Sequence, residues 1–213
     1  MSSTKQTIYF GYGSNLWLHQ MVIRCPDSTY LGIARLNNYT WIINDRGYAN
    51  VVASNSTSTS TSTDNKYSTQ VYGLVYSLSP SDEQRLDKNE GVPIAYTKEL
   101  LSVDFWSAGP PSPPSSPHQK IDTAKPPDET GDMLVYIDRV RITPDEPKKE
   151  YVYRMNQGIE DALDLGVPEG YVEAVMRRYI PAPGKDGGEE NGEMAEFARG
   201  QAMQFKDESG VFS

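Results

Sequence analysis

Tyr9-Phe10-Gly11-Tyr12-Gly13-Ser14-Asn15-Leu16 reads as a short apolar strand running into a glycine-rich turn. A turn of this kind exposes several main-chain N–H groups at a strand end, and such groups can hold a small anion such as a carboxylate. Far along the chain, Asp87-Lys88-Asn89-Glu90-Gly91-Val92-Pro93 places a carboxylate directly before a glycine. Together the two segments point to an enzyme that grips an amino-acid-like substrate through its main chain and works on it with a single glutamate, Glu90. Each also has a plainer reading. Tyr12 to Leu16 could be an ordinary turn steadied by Asn15. Glu90 could be a solvated residue at a helix C-terminus, where its negative charge opposes the helix dipole. Tyr151 could be a core aromatic on an amphipathic helix.

Other chemistries fit less well. Gly11-Tyr12-Gly13 could open a dinucleotide fingerprint, but the third glycine should fall where Leu16 stands. Ser14 lacks the flanking glycines of a nucleophile elbow, since Tyr12 and Leu16 occupy those positions, and His19 five residues on is no evidence of a triad. Neither His19 nor His118 has partners at metal-ligand spacing, so no transition-metal site is expected.

The elements that must position Tyr9–Asn15 and Glu90 can be read in order. Strands are expected over Thr7–Phe10, Tyr30–Leu36, Tyr39–Ile43, Tyr48–Ala53, Gln70–Leu78, Tyr96–Trp106 and Met133–Val140. Gln70–Leu78 carries bulk on both faces and should be central. Leu16–Ile23 has one or two helical turns, stopped by Pro26. Ser79-Pro80-Ser81-Asp82-Glu83 is a helix start, with Ser79 as N-cap and Pro80 in the first helical position. That helix should run to about Lys88 and end before Gly91. Tyr151, Met155, Ile159 and Leu163 recur at four-residue steps in a helix over Glu150–Leu165 that Gly166 ends, and Pro168 opens another that Pro181 closes. The early strands lie too close together for crossover helices. The expected fold is therefore α+β, a small mixed, antiparallel-rich β-barrel with flanking helices. Residues 1–183 form one domain, with 54–69 (Ser/Thr/Asn-rich) and 107–130 (proline-rich) as loop insertions. Residues 184–213 form an acidic tail or a weak helix.

The chain has 213 residues and a formal net charge of −9, which argues against a nucleic-acid partner. Anionic membranes are disfavoured for the same reason, and no apolar run approaches the roughly 18–20 residues of a membrane helix. The polar N-terminus and the lone cysteine, Cys25, fit a cytoplasmic enzyme.

In combination these segments resemble the γ-glutamylcyclotransferases. Tyr9–Leu16 matches a Y-F-[AG]-Y-G-S-N-L motif, and Leu86–Val92 followed by Tyr96 matches L-D-x-x-E-G-V with its later aromatic. Pro147–Tyr151 is similar to P-S-x-x-Y, and Gly166-Val167-Pro168 with Tyr171 to G-[LV]-P-x-x-Y. The likeness spans residues 8–181. It implies a small barrel and cofactor-independent cleavage of a γ-glutamyl amide, of lyase or acyltransferase type, releasing 5-oxoproline and a free amine. It implies Glu90 as the acid/base residue. The turn Tyr9, Phe10, Gly11, Tyr12, Gly13, Ser14 and Asn15, with Tyr151, would bind the small-molecule γ-glutamyl substrate; a homodimer is compatible with it. Two departures bear on the leaving group: the two lengthened loops, and Lys148 where the family often has a small residue. The substrate could be a γ-glutamyl dipeptide, glutathione, or a glutathione conjugate of a larger metabolite, as in a fungal toxin pathway of the gliotoxin type. The alternatives are a γ-glutamylamine cyclotransferase, or a non-catalytic binding module on the same scaffold.

Overall fold

The structure is a computed structural model, and it describes residues 6–54, 66–109, 118–183 and 192–203. The low-complexity tract at 55–65, part of the proline-rich excursion (110–117) and much of the acidic tail lie outside the described residues. Five strands close into a barrel in the order β1 (Thr7–Gly11), β5 (Gln70–Leu78), β2 (Thr29–Asn37), β6 (Thr97–Ser107) and β7 (Glu129–Ile137). All pairs are antiparallel except β1 with β7, which closes the barrel in parallel at Tyr9↔Leu134. As its composition implies, β5 is central, hydrogen-bonded to β1 on one side and β2 on the other, and it is buried from Val71 to Leu78. The α+β, antiparallel-rich barrel expected from the sequence is the fold observed.

Three strands depart from the simplest sequence expectation. β3 (Tyr39–Ile43) and β4 (Ala49–Ala53) do not join the barrel but form a separate two-stranded sheet. The strand expected over Met133–Val140 runs instead from Glu129 to Ile137. Its polar start is held by β6 through the pairs Phe105↔Glu129 to Val103↔Gly131. Its end is set by Asp138, whose carboxylate accepts from the Val140 and Arg141 main-chain N–H groups at 2.9 and 3.0 Å and bends the chain away. Cross-strand pairing, invisible in local composition, sets the start of β7, and the Asp138 turn sets its end.

Helices flank the barrel. A single 3-10 turn, Ser14–Leu16, leads from β1 into α1 (Leu18–Arg24). α2 (Pro80–Asn89) follows β5 and starts as its sequence predicts, with the Ser79 hydroxyl accepting the Asp82 N–H at 3.2 Å. It stops because Gly91 adopts φ +64°, a left-handed conformation open to glycine, which leaves Glu90 as the last residue in helical geometry. α3 (Lys149–Leu165) lies across the 3-10 turn, and the helix expected between Pro168 and Pro181 is instead a short α4 (Glu169–Ala174) followed by a separate 3-10 turn, Met176–Arg178. A last helix, α5 (Gly192–Met203), packs on α1 and α3, where the sequence left a choice between tail and weak helix.

Candidate active site

The N-terminal turn, the end of α2 and the start of α3 converge on a cavity of about 50 Å³. By the usual measure of about 10–15 Å³ per water, it has room for several small groups. Tyr9, Tyr12, Gly13, Ser14, Asn15, Glu90 and Tyr151, all singled out from the sequence, line it. Phe10 and Gly11 do not. Strand alternation sends the Tyr9 ring toward the cavity and Phe10 into the barrel core, where it is fully buried.

Asn15 is the hub of this arrangement. Its Nδ2 donates to the Tyr9 hydroxyl at 2.9 Å and to Glu90 Oε1 at 3.1 Å. Its Oδ1 accepts from Gln20 Nε2 at 2.7 Å and Arg24 Nη1 at 3.3 Å, which fixes which way the amide faces. Its carbonyl accepts from the Tyr76 hydroxyl at 3.0 Å. The Ser14 hydroxyl accepts from Gln20 Nε2 and from Arg154 Nη1, both at 3.0 Å. A side chain reaching out of β1's terminal turn to a carboxylate 75 residues away thus ties the two sequence motifs together.

Tyr151 supports the turn from α3. Its hydroxyl accepts the Ser14 N–H at 3.2 Å and the Ala49 N–H at 3.3 Å. With both of those donors accepted, the phenolic proton is left to donate elsewhere. Gly13 must be glycine here: a Cβ would sit 2.8 Å from the Tyr151 oxygen and 3.3 Å from Ala49 Cβ.

Part of Glu90 is open to solvent, but its carboxylate is turned into the cavity. Burial raises its pKa above the ordinary glutamate value, opposed by Arg24, the Asn15 hydrogen bond, Arg46 and Arg154. Burial also raises Tyr9 and Tyr12, with Glu90 adding to both, and pushes Tyr151 up to about 12. These phenols are neutral hydrogen-bond donors at physiological pH.

Residues that no sequence motif singles out also line the wall, among them Arg24, Arg46, Tyr48, Tyr136 and Arg154. Arg154 forms a two-pronged buried pair with Glu150, one helical turn earlier on α3, at 2.7 and 3.0 Å. Arg46 lies over the rings of Tyr48 and Tyr96 at 5.4 and 5.3 Å. The i,i+4 spacing of Glu150 and Arg154 was available in the sequence as a hint; the others come together only when the barrel closes. Among the described residues there is no cluster of three or more His, Cys, Asp or Glu that could hold a metal ion, and no helix long and apolar enough to cross a membrane.

No family model matches the chain. Two curated proteins do: γ-glutamylcyclotransferase from Bos taurus, 27% identical over 172 residues covering 75% of this chain and 88% of that protein, and its Homo sapiens counterpart, 24% identical over the same shares. A solved structure described as γ-glutamyl cyclotransferase superposes with a TM-score of 0.60, at 18% identity, over 92% of this chain and 99% of its own. The family this chain resembles, in sequence and in fold, is the γ-glutamylcyclotransferases. In this chain the strand–turn–3-10 unit and the end of α2 share one cavity.

Proposed function

We propose that the chain is a γ-glutamylcyclotransferase: the α-amine of a γ-glutamyl group attacks its own γ-carbonyl, and 5-oxoproline and a free amine are released. The observation that carries the reading is the contact between Asn15 and Glu90 at 3.1 Å, which puts a carboxylate against a main-chain turn inside a cavity. One C–N bond forms and one breaks, so no enzyme nucleophile or redox partner takes part. The ring closure is intramolecular and is fast once the flexible glutamyl chain is folded into place.

Three tasks fall to the protein. The turn holds the substrate's α-carboxylate; its main chain from Tyr12 onward lies past Gly11↔Leu74, the last pair of the β1–β5 ladder. Glu90 takes a proton from the α-ammonium, freeing the lone pair; the attacking nitrogen loses a second proton as the ring closes, and Glu90 delivers a proton to the departing nitrogen. The raised pKa of Glu90 suits both halves of that exchange. Main-chain N–H groups of the turn, with the Tyr151 hydroxyl nearby, stabilise the oxyanion, a contribution of about 3–4 kcal/mol for donors of this kind. Arg24 and Arg46, set against Glu90 on the same wall, favour an anionic substrate. Glutathione, or a conjugate of it, meets that requirement, and leaves a cysteinyl amine.

The experiment is to incubate the protein with γ-glutamyl-alanine, glutathione and a γ-glutamyl alkylamine, and to follow 5-oxoproline by mass spectrometry. Release from glutathione or the dipeptide supports the reading. Release from the alkylamine alone reassigns the leaving group, and release from none rejects the activity.

A further inference from the structure

The cavity wall is braced from outside the barrel. Ala198 and Ala202 of α5 pack with Trp17 and Tyr153 in a small apolar cluster separate from the main core. Small side chains on that face let the α5 backbone approach α1 closely. Its last turn then presents the main-chain carbonyls of Gln201 and Ala202, of the class that finds no partner within a helix at its C-terminus. Both accept from Arg24, at 3.0 Å from Nη2 and 2.9 Å from Nε. The third arm of the fork, Nη1, reaches Asn15 Oδ1 at 3.3 Å, and Asn15 reaches Glu90 at 3.1 Å.

We infer that α5 is a positioning element of the active site, fixing Arg24, which orients the Asn15 amide, which in turn holds the Glu90 carboxylate. The inference rests on the role proposed above for Glu90. The guanidinium carries five N–H donors in a fixed fork, so it grips two carbonyls and still presents a further N–H to the amide in a set geometry. The chemistry of the grip matters as well. Arg154 is neutralised by the Glu150 carboxylate, whereas Arg24 donates to neutral oxygens, those of Gln201, Ala202 and Asn15. Carbonyls at the negative end of a helix dipole satisfy Arg24 without cancelling its charge, so its field acts on the cavity. Burial lowers its pKa, to about 10, which still leaves it a cation at neutral pH. Glu90 is faced from α1 by Arg24, with Cys25 just beyond its end, from α3 by Arg154 and Tyr151, from the β3–β4 turn by Arg46, from the segment between α2 and β6 by Tyr96, from β7 by Tyr136, and from β1 and its turn by Tyr9 and Tyr12. Among these, Arg24 does most to oppose the effect of burial on Glu90.

The test uses the full chain. The Glu90 carboxyl is titrated by carbon NMR, assigned by its loss in Glu90→Gln, and kcat and KM for γ-glutamyl-alanine are measured alongside. Ala198→Asp puts a charge into the apolar cluster and detaches α5. The expected result is an upward shift of the Glu90 pKa, with a fall in kcat of roughly tenfold to hundredfold, the scale of a misplacement of about 1 Å, and KM little changed. Arg24→Met should shift Glu90 in the same direction, and adding Ala198→Asp to it should shift Glu90 no further. An unmoved Glu90 pKa in Ala198→Asp, or a shift that repeats in full in the Arg24→Met background, overturns the inference. Should Ala198→Asp fail to fold, Ala198→Leu, which wedges the same cluster, is read in its place. If the wild-type chain releases no 5-oxoproline the proposed activity fails, while the NMR titration still decides the role of α5.

Discussion

Replacing Tyr151 by phenylalanine removes one oxygen and, with it, the acceptor of two main-chain N–H groups, those of Ser14 and Ala49. The ring itself stays packed against Tyr48, edge to face at 5.2 Å, so little apolar burial is lost. A buried donor left without an acceptor costs about 1–3 kcal/mol. At 3.2 and 3.3 Å these two bonds are long, so the lower end applies, about 1 kcal/mol each and about 2 kcal/mol together. For a chain of this size that is a fall in Tm of about 4–8 °C. Activity should fall further than stability, because the same hydroxyl aligns the turn. The assays are thermal unfolding and 5-oxoproline release at saturating γ-glutamyl-alanine, well below the variant's Tm. A Tm within about 1 °C of wild type with undiminished turnover would refute the claim that Tyr151 holds the turn through its oxygen.

Three further outcomes follow from the same geometry. Gly13→Val drives a branched side chain into the Tyr151 oxygen and Ala49, contacts of 2.8 and 3.3 Å for a Cβ alone, and should abolish affinity for a γ-glutamyl ligand in calorimetry; unchanged affinity would mean that the turn is not the cradle. Glu90 has a raised pKa in the folded state, so folding takes up a proton, and the wild type loses stability as pH rises from the ordinary carboxylate value, about 4.3, through the higher folded one. Glu90→Gln should remove that loss, and its Tm advantage over wild type should grow between pH 4 and pH 8 in thermal melts. Arg154→Met leaves Glu150 buried at 3% exposure without its two-pronged partner, and denaturant unfolding should record a cost of about 3–5 kcal/mol, largely recovered by adding Glu150→Leu.

Much of the site's local chemistry is legible in the chain. Ser79, Pro80 and the acids after them announce α2, and Gly91 announces its end, which is what delivers Glu90 to the cavity. The glycine-rich turn is equally local. The separation of Tyr9 from Phe10 is implicit in strand alternation too, since neighbouring strand residues face opposite ways. What local pattern does not carry is closure. Arg24 reads as one more charge on a short helix, Arg46 as a turn residue, and Tyr136 as one of several strand aromatics. They share a wall only because β1 and β7 meet in parallel across the seam of the barrel and because β3 and β4 leave it. The bracing of Arg24 by α5 is likewise hidden, because it runs through main-chain carbonyls that any sequence would offer.

The most direct measurement compares wild type and Glu90→Gln for 5-oxoproline release under single-turnover conditions, with substrate affinity measured separately. Release by the wild type, a loss of orders of magnitude in the variant and an affinity kept within a few-fold are predicted, because an amide cannot accept the ammonium proton. Turnover near the wild-type rate in Glu90→Gln would contradict the role assigned to Glu90.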